Sequence, residues 1–142
     1  MQKLLQSTKL LGFTLAVVAI FTFTSCAKKM SFSSSRVVPA AEGSVKIKSD
    51  KNDNYTVEVN VKNLATPSQL TPPKNTYAVW GTNNNNEVQN IGQLRNSSGW
   101  FSKSLKGSLS TVTSFKPRSV FITAEYDSQV KYPGMIVLTT RR

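Results

Sequence analysis

The strongest constraint on the fold of this chain is the strict alternation of apolar and polar residues over 55–62, YTVEVNVK. An extended strand places successive side chains on opposite faces, so the tyrosine and the three valines predict a buried face. A shorter alternating segment, 44–48, precedes it, and the intervening residues 50–54, DKNDN, are typical of a turn. Together these segments predict an antiparallel β-hairpin.

Short segments with strand composition continue to the end of the chain, at residues 76–81, 87–94, 100–105, 109–115, 120–126 and 135–140. The apolar residues of 87–94 do not alternate strictly, so we expect a bulge near Asn90. Loops are predicted at 64–75, 95–99 and 127–134. About seven or eight short strands, with no helical pattern after residue 26, predict an all-β fold, a single antiparallel β-sandwich over 43–142.

The N-terminal residues have the composition of an export signal. Lys3 and Lys9 give a positive start, residues 10–23 are uncharged and largely apolar, and two small residues precede Cys26, the only cysteine. The apolar segment is too short to span a bilayer comfortably. This order of features resembles the lipobox of bacterial lipoproteins, with Phe23 in place of the more usual leucine.

The lipobox resemblance implies that diacylglycerol is attached to Cys26, that the chain is cleaved after Ser25, and that the new amino terminus is acylated. Residues 1–25 would then be a signal-peptide helix, and the mature protein would be lipid-anchored to the cell membrane on its extracytoplasmic side. An uncleaved membrane anchor and an ordinary secretory signal that leaves a free thiol are the alternatives. A lone cysteine cannot form an internal disulfide, which favours lipid attachment.

Residues 26–42 are small and polar, with four serines, and predict a flexible linker that holds the domain about 20–24 Å from its anchor. Lys28, Lys29 and Arg36 in this segment are candidate contacts with an anionic membrane surface. No acidic pair follows Cys26. Because an acidic run at that point resembles the surface-export signal of some lipoproteins, its absence favours the periplasmic face.

Composition limits the functions that this chain can perform. It has 142 residues, with 18 Lys and Arg against 7 Asp and Glu; removing Lys3 and Lys9 with the signal peptide would leave a net charge of +9. The absence of histidine removes the commonest general base and metal ligand, so we expect no catalytic residues, no metal and no cofactor. A hydrolase using Glu125 and Asp127 is a remote alternative. The basic residues are dispersed, which disfavours nucleic acid and is typical of solvated strand faces.

Four segments of the second half resemble, in order, the extracytoplasmic C-terminal β-domain of anti-sigma-K-type factors. They are YAVW at 77–80, IGQL at 91–94, VFITAE at 120–125 and YPG at 132–134. The resemblance covers 76–140 and implies a shared β-domain. It does not imply anti-sigma activity, because the sigma-binding region and its histidine ligands have no counterpart in this sequence.

Individual residues within that resemblance have simple structural interpretations. Tyr77 and Trp80 are expected to be core aromatics rather than a carbohydrate-stacking platform, and Glu125 is expected to be solvated. The sequence therefore predicts a non-catalytic binding or accessory module that presents loops or an edge strand to an envelope protein or glycan. A structural role through electrostatic association with anionic lipid or glycan is the alternative.

Overall fold

The computed structural model describes residues 27–97 and 105–141, which fold into nine β-strands. These are β1 (Lys28–Ser31), β2 (Glu42–Ser49), β3 (Tyr55–Leu64), β4 (Thr76–Thr82), β5 (Val88–Gln93), β6 (Arg95–Ser97), β7 (Leu105–Thr113), β8 (Ser119–Glu125) and β9 (Met135–Thr139). The helical content of the described part is one 3₁₀ turn, Pro67–Gln69.

The strands form two antiparallel sheets, and the predicted all-β sandwich is confirmed. One sheet has five strands in the order β1-β2-β3-β7-β6, and the other has four in the order β5-β4-β8-β9. The predicted hairpin of β2 and β3 is present, and in it Val45 pairs with Val59. Its valines are buried between the sheets because the alternation directs every second side chain inward.

The four-stranded sheet closes the core from the other side. Strand β4 is central, and its Tyr77 and Val79 lie in the core beside Ala124 and Ile122, the residues that they pair with on the adjacent strand β8. The bulge predicted near Asn90 is present: Val79 pairs with Gly92 and Trp80 pairs with Asn90, so one residue of β5 is unpaired. Gly92 has a φ of 144°, which only glycine adopts without strain.

The edges of the two sheets are joined to each other on both sides of the sandwich. On one side the chain crosses between sheets at Leu94, whose N–H donates to the Tyr77 carbonyl at 2.9 Å before β6 pairs with β7. On the other side Phe32 bridges Thr140, and the Arg141 N–H donates to the Ser31 carbonyl at 3.0 Å. The positions joined in this way cannot add a partner strand.

The predicted flexible linker over 26–42 is wrong for the residues that the structure describes. Lys28–Ser31 is strand β1, paired with β2, and four residues of the segment lie in the core: Met30, Phe32, Val38 and Ala41. The Ser35 hydroxyl accepts the N–H groups of Val37 and Val38 at 3.1 and 2.9 Å and so closes a local turn. The sandwich therefore starts at Lys28 rather than at residue 43.

Two smaller predictions also need correction or fall outside the description. Residues 95–99 were expected to form a loop, but Arg95–Ser97 pairs with β7 as strand β6. The strand expected over 100–105 lies mostly outside the described residues, and β7 begins at Leu105. Residues 1–25, predicted to be a signal peptide, and Cys26 also lie outside them.

Candidate functional site

The central part of the outward face of the four-stranded sheet is buried, although its side chains point away from the core between the sheets. Trp80 is 1% exposed, Thr123 is 0% exposed and Glu125 is 5% exposed. All three lie at positions that alternate with inward-facing residues such as Val79 and Ile122. A covering element must therefore exclude water from this face.

That element is the loop of residues 126–134, which we call the tyrosine loop. The Gly134 N–H donates to Glu125 Oε1 on β8 at 2.6 Å. The side-chain amide of Asn90, on β5, donates to the Ser128 and Val130 carbonyls at 2.9 and 3.4 Å. Because β4 lies between β5 and β8, a loop that reaches both strands crosses the Trp80 side chain.

A chain of hydrogen bonds connects the covered side chains to the loop. The Trp80 indole N–H donates to Thr123 Oγ1 at 2.8 Å, and the Thr123 hydroxyl donates to Glu125 Oε1 at 2.6 Å. Trp80 also stacks on Phe121, with ring centroids 6.2 Å apart and an interplanar angle of 9°. The buried carboxylate is thus satisfied by neutral donors, as buried polar groups must be.

Sequence reasoning was wrong about Glu125, which was expected to be solvated. Its contacts fix the loop, while Asp127 is exposed and its Oδ1 accepts the Gln129 N–H at 2.9 Å. The two carboxylates proposed for a hydrolase therefore differ in setting: one is enclosed beneath the loop and the other stabilises a turn within it. Trp80 is buried, as predicted, but under this loop rather than in the main core.

The tyrosine loop presents aromatic side chains on a rigid base. Tyr126 is 62% exposed and Tyr132 is 83% exposed, and Ile136 on the adjoining strand β9 is 55% exposed. The Asn75 side-chain amide donates to the Tyr126 carbonyl at 3.0 Å, and Lys74 Nζ lies 3.8 Å from the Tyr126 ring centroid. Hydrogen bonds at the start, middle and end of the loop hold it in one conformation.

A second candidate surface is a basic groove at the end of the sandwich where the described chain begins. Lys28 and Lys29 of β1 line this groove, of about 580 Å³, together with Arg118 before β8 and Arg141 after β9. The Arg118 backbone N–H donates to the Thr82 carbonyl at 2.7 Å and holds this corner together. We call this surface the anchor-side groove.

The structure brings together only some of the surface contacts predicted from sequence. Lys28 and Lys29 share the anchor-side groove, but Arg36 lies in the β1–β2 connection and is not part of its lining. Sequence reasoning missed Arg118 and Arg141 because they are far from Lys28 in the chain. The predicted lipid site, Cys26, is separated from Lys28 by one residue, Ala27.

The outward face of the five-stranded sheet is polar and shallow. A cross-strand row of paired positions runs through Ser31, Ser44, Asn60, Ser108 and Arg95. Ion pairs of 3.2 Å, one between Lys48 and Glu58 and one between Lys62 and Glu42, lie beside the row. These lysines occupy a solvated strand face, as expected for dispersed charge.

Other features that could carry chemistry are few in the described part of the chain. No group of three or more His, Cys, Asp or Glu side chains there could hold a metal ion. No helix of that part is long and apolar enough to cross a membrane.

Tyr77 is fully buried, its hydroxyl donates to the Ala65 carbonyl at 2.8 Å, and burial raises the pKa of Tyr77 to about 12.

The fold and its surfaces define an antiparallel β-sandwich that presents one rigid aromatic loop and one basic groove. The chain matches no protein-family model, no curated protein sequence and no solved structure. Its function is therefore argued from these two surfaces and from the sequence around Cys26.

Proposed function

We propose that this protein is a membrane-anchored extracytoplasmic lipoprotein whose β-sandwich acts as a non-catalytic binding module of the cell envelope. The lipobox resemblance that ends at Cys26 supports the anchor. The tyrosine loop is the single observation that supports binding, because it exposes Tyr126 and Tyr132 on a backbone fixed by hydrogen bonds.

A loop of this kind is suited to recognition for two physical reasons. Tyrosine provides a large contact area with few rotatable bonds, so less conformational entropy is lost when it becomes buried against a partner. The backbone is already ordered by the contacts of Glu125, Asn90 and Asn75, which removes a further ordering cost. We propose an envelope protein as the partner that buries Tyr132.

The anchor is tested by the intact mass and membrane partition of the expressed protein, comparing the wild type with Cys26→Ser. The proposal is supported if the wild type matures to a species that begins at residue 26 and carries acyl chains. The variant should then be soluble or unprocessed. An unmodified Cys26 in an exported wild-type protein would refute the anchor.

Binding is tested by placing a photo-crosslinking amino acid at Tyr132 and irradiating intact cells. Val112 on β7 is the matched control position, because it is 64% exposed on the other sheet. A discrete adduct with one protein from position 132, absent from position 112, supports the binding module. The same adducts from both positions, or none from position 132, would contradict it. An adduct whose added mass is removed by glycan hydrolysis would identify a glycan instead.

A further inference from the structure

We infer that the anchor-side groove binds the phosphate groups of anionic phospholipids and so fixes the end of the sandwich that lies against the membrane. This inference rests on the proposed lipid anchor at Cys26. It adds to that anchor a specific contact surface, formed by Lys28, Lys29, Arg118 and Arg141, and an orientation for the whole domain.

The length of chain between the anchor and the fold supports this orientation. Strand β1 begins at Lys28, and its residues pair one by one with β2, from Lys28 with Ile47 to Ser31 with Ser44. Two peptide units separate Cys26 from Lys28, and an extended chain covers at most about 7 Å over that length. A lipid on Cys26 would therefore hold the groove at the headgroup layer. A long linker would instead allow the groove to move away from the headgroups.

The charge of the groove matches an anionic headgroup layer. Four cationic residues from three separate segments of the chain line the groove, and the described lining contains no carboxylate. The two arginines can bind phosphate oxygens through paired N–H donors, and the two lysines add compact positive charge. Arg118 Nη1 lies 3.4 Å from Asn86 Oδ1, a neutral acceptor that leaves the guanidinium charge uncompensated.

Three acidic residues lie in turns at the same end of the sandwich, Asp50, Asp53 and Glu87; none of them lines the groove, and Asp50 and Glu87 have other partners. Asp50 Oδ1 accepts the N–H groups of Asn52 and Asn54 at 2.7 and 2.9 Å in the β2–β3 turn. Glu87 Oε2 accepts the side-chain amide of Asn83 at 2.6 Å in the β4–β5 turn. These carboxylates serve the turns and do not line the groove.

The same orientation places Tyr126 and Gly134, the two ends of the tyrosine loop, away from the bilayer. Strand β8 starts beside Arg118 at the groove end and finishes at Glu125, where the loop begins. Seven residues of extended strand span roughly 20 Å. The groove and the start of the tyrosine loop are therefore at opposite ends of the domain, so that one end can contact lipid while the other contacts a partner.

The experiment uses the full-length lipidated protein in phosphatidylcholine vesicles with or without phosphatidylglycerol. A lipidated Cys26 does not react with maleimides, so a fluorophore can be placed on one introduced thiol, Asn52→Cys at the groove end or Ser68→Cys at the opposite end. A quencher attached to lipid headgroups reports which end is near the membrane. We expect phosphatidylglycerol to increase quenching at position 52 and not at position 68, and high salt to reverse the increase.

A groove variant and a matched charge control decide the outcome. The groove variant replaces Lys28, Lys29, Arg118 and Arg141 by glutamine; the control replaces four lysines at the opposite end, Lys62, Lys74, Lys106 and Lys131. We expect the phosphatidylglycerol-dependent quenching at position 52 to be lost in the groove variant and kept in the control. Equal quenching in both variants, with near-UV circular dichroism showing that both are folded, would overturn the inference.

Failure of the anchor is distinguishable from failure of the groove. If Cys26 is free, labelling yields two modified thiols per chain instead of one. The same unlipidated protein is then mixed with vesicles and floated. Phosphatidylglycerol-dependent flotation that is lost in the groove variant and kept in the control would still support the groove, and flotation equal in both would overturn it.

Discussion

Replacing Thr123 with valine should destabilise the protein through the hydrogen bonds that hold the tyrosine loop. The substitution keeps the branched shape of a fully buried side chain but removes the hydroxyl that accepts the Trp80 N–H and donates to Glu125. An indole N–H left buried without an acceptor costs about 1–3 kcal/mol, and a hydrogen bond to a charged group contributes about 1.5–3 kcal/mol. Both losses arise at one atom and are not additive, so we expect about 2–4 kcal/mol in total.

Urea unfolding of the purified protein measures this loss. The midpoint should fall while the slope with denaturant stays constant, because the surface exposed on unfolding is nearly unchanged. Thr139→Val is the matched control, since it makes the same chemical change at an exposed position of β9 and should change stability by no more than about 0.5 kcal/mol. Equal effects of the two substitutions would refute the argument that the network stabilises the fold.

The same substitution should loosen the loop. Glu125 binds both Thr123 and Gly134 through Oε1, so the carboxylate can shift once the hydroxyl is gone. Hydrogen exchange at the Gly134 amide should then accelerate through local opening of the loop, while core amides such as that of Val59 report the loss of global stability. Unchanged protection of Gly134 would show that Glu125 holds the loop without help from Thr123.

Three further substitutions test separate parts of the structure. Because burial raises the pKa of Tyr77 to about 12, the neutral phenol favours the folded state below pH 10; this contribution should disappear between pH 10 and 12, and Tyr77→Phe should lack that step in its stability profile. Gly134→Ala should destabilise the protein by about 1–3 kcal/mol, because a Cβ there would lie 2.5 Å from Glu125 Oε2 and displace a hydrogen-bonded carboxylate; thermal unfolding measures it. The N–H groups of Asn54 and Asn52 lower the pKa of Asp50. The stabilising effect of its carboxylate should therefore be lost as the pH falls below the ordinary pKa of aspartate, and the stability of Asp50→Asn should lack that acid dependence.

The strands with strict alternation were predictable because their burial pattern is present in consecutive residues. The hairpin of β2 and β3 needed only the spacing of its valines, and β8 needed only the alternation of Val120 and Ile122 with their neighbours. The bulge at β5 was also predictable, because its apolar residues could share a face only if one position was unpaired.

The first strand was missed because composition was given more weight than spacing. Its segment is rich in serine, yet Met30 and Phe32 are two residues apart and both face the core. Strand β6 is entirely polar, and it forms because β7 supplies backbone partners at the point where the chain changes sheets. Neither feature has a strong local signal, since the partner strand is distant in sequence.

The candidate surfaces were less predictable than the fold because they depend on contacts between distant segments. Tyr132 lies beside Pro133 and Gly134, which predict a loop, but its exposure depends on Asn90 and Glu125 holding that loop across the sheet. The anchor-side groove joins residues from both ends of the chain, so the sequence could supply only its two lysines.

The position of β1 connects the two proposed surfaces. If Cys26 carries lipid, β1 starts within about 7 Å of the anchor. Because β1 is paired with β2 in the sheet, the orientation of the groove on the membrane also sets the orientation of the domain. The sheet edges are joined at Leu94 and at Phe32, which blocks strand addition at those positions. The tyrosine loop starts at the end of β8 that is farthest from the groove. If both proposals hold, its exposed tyrosines would be accessible to a partner while the basic end contacts the membrane.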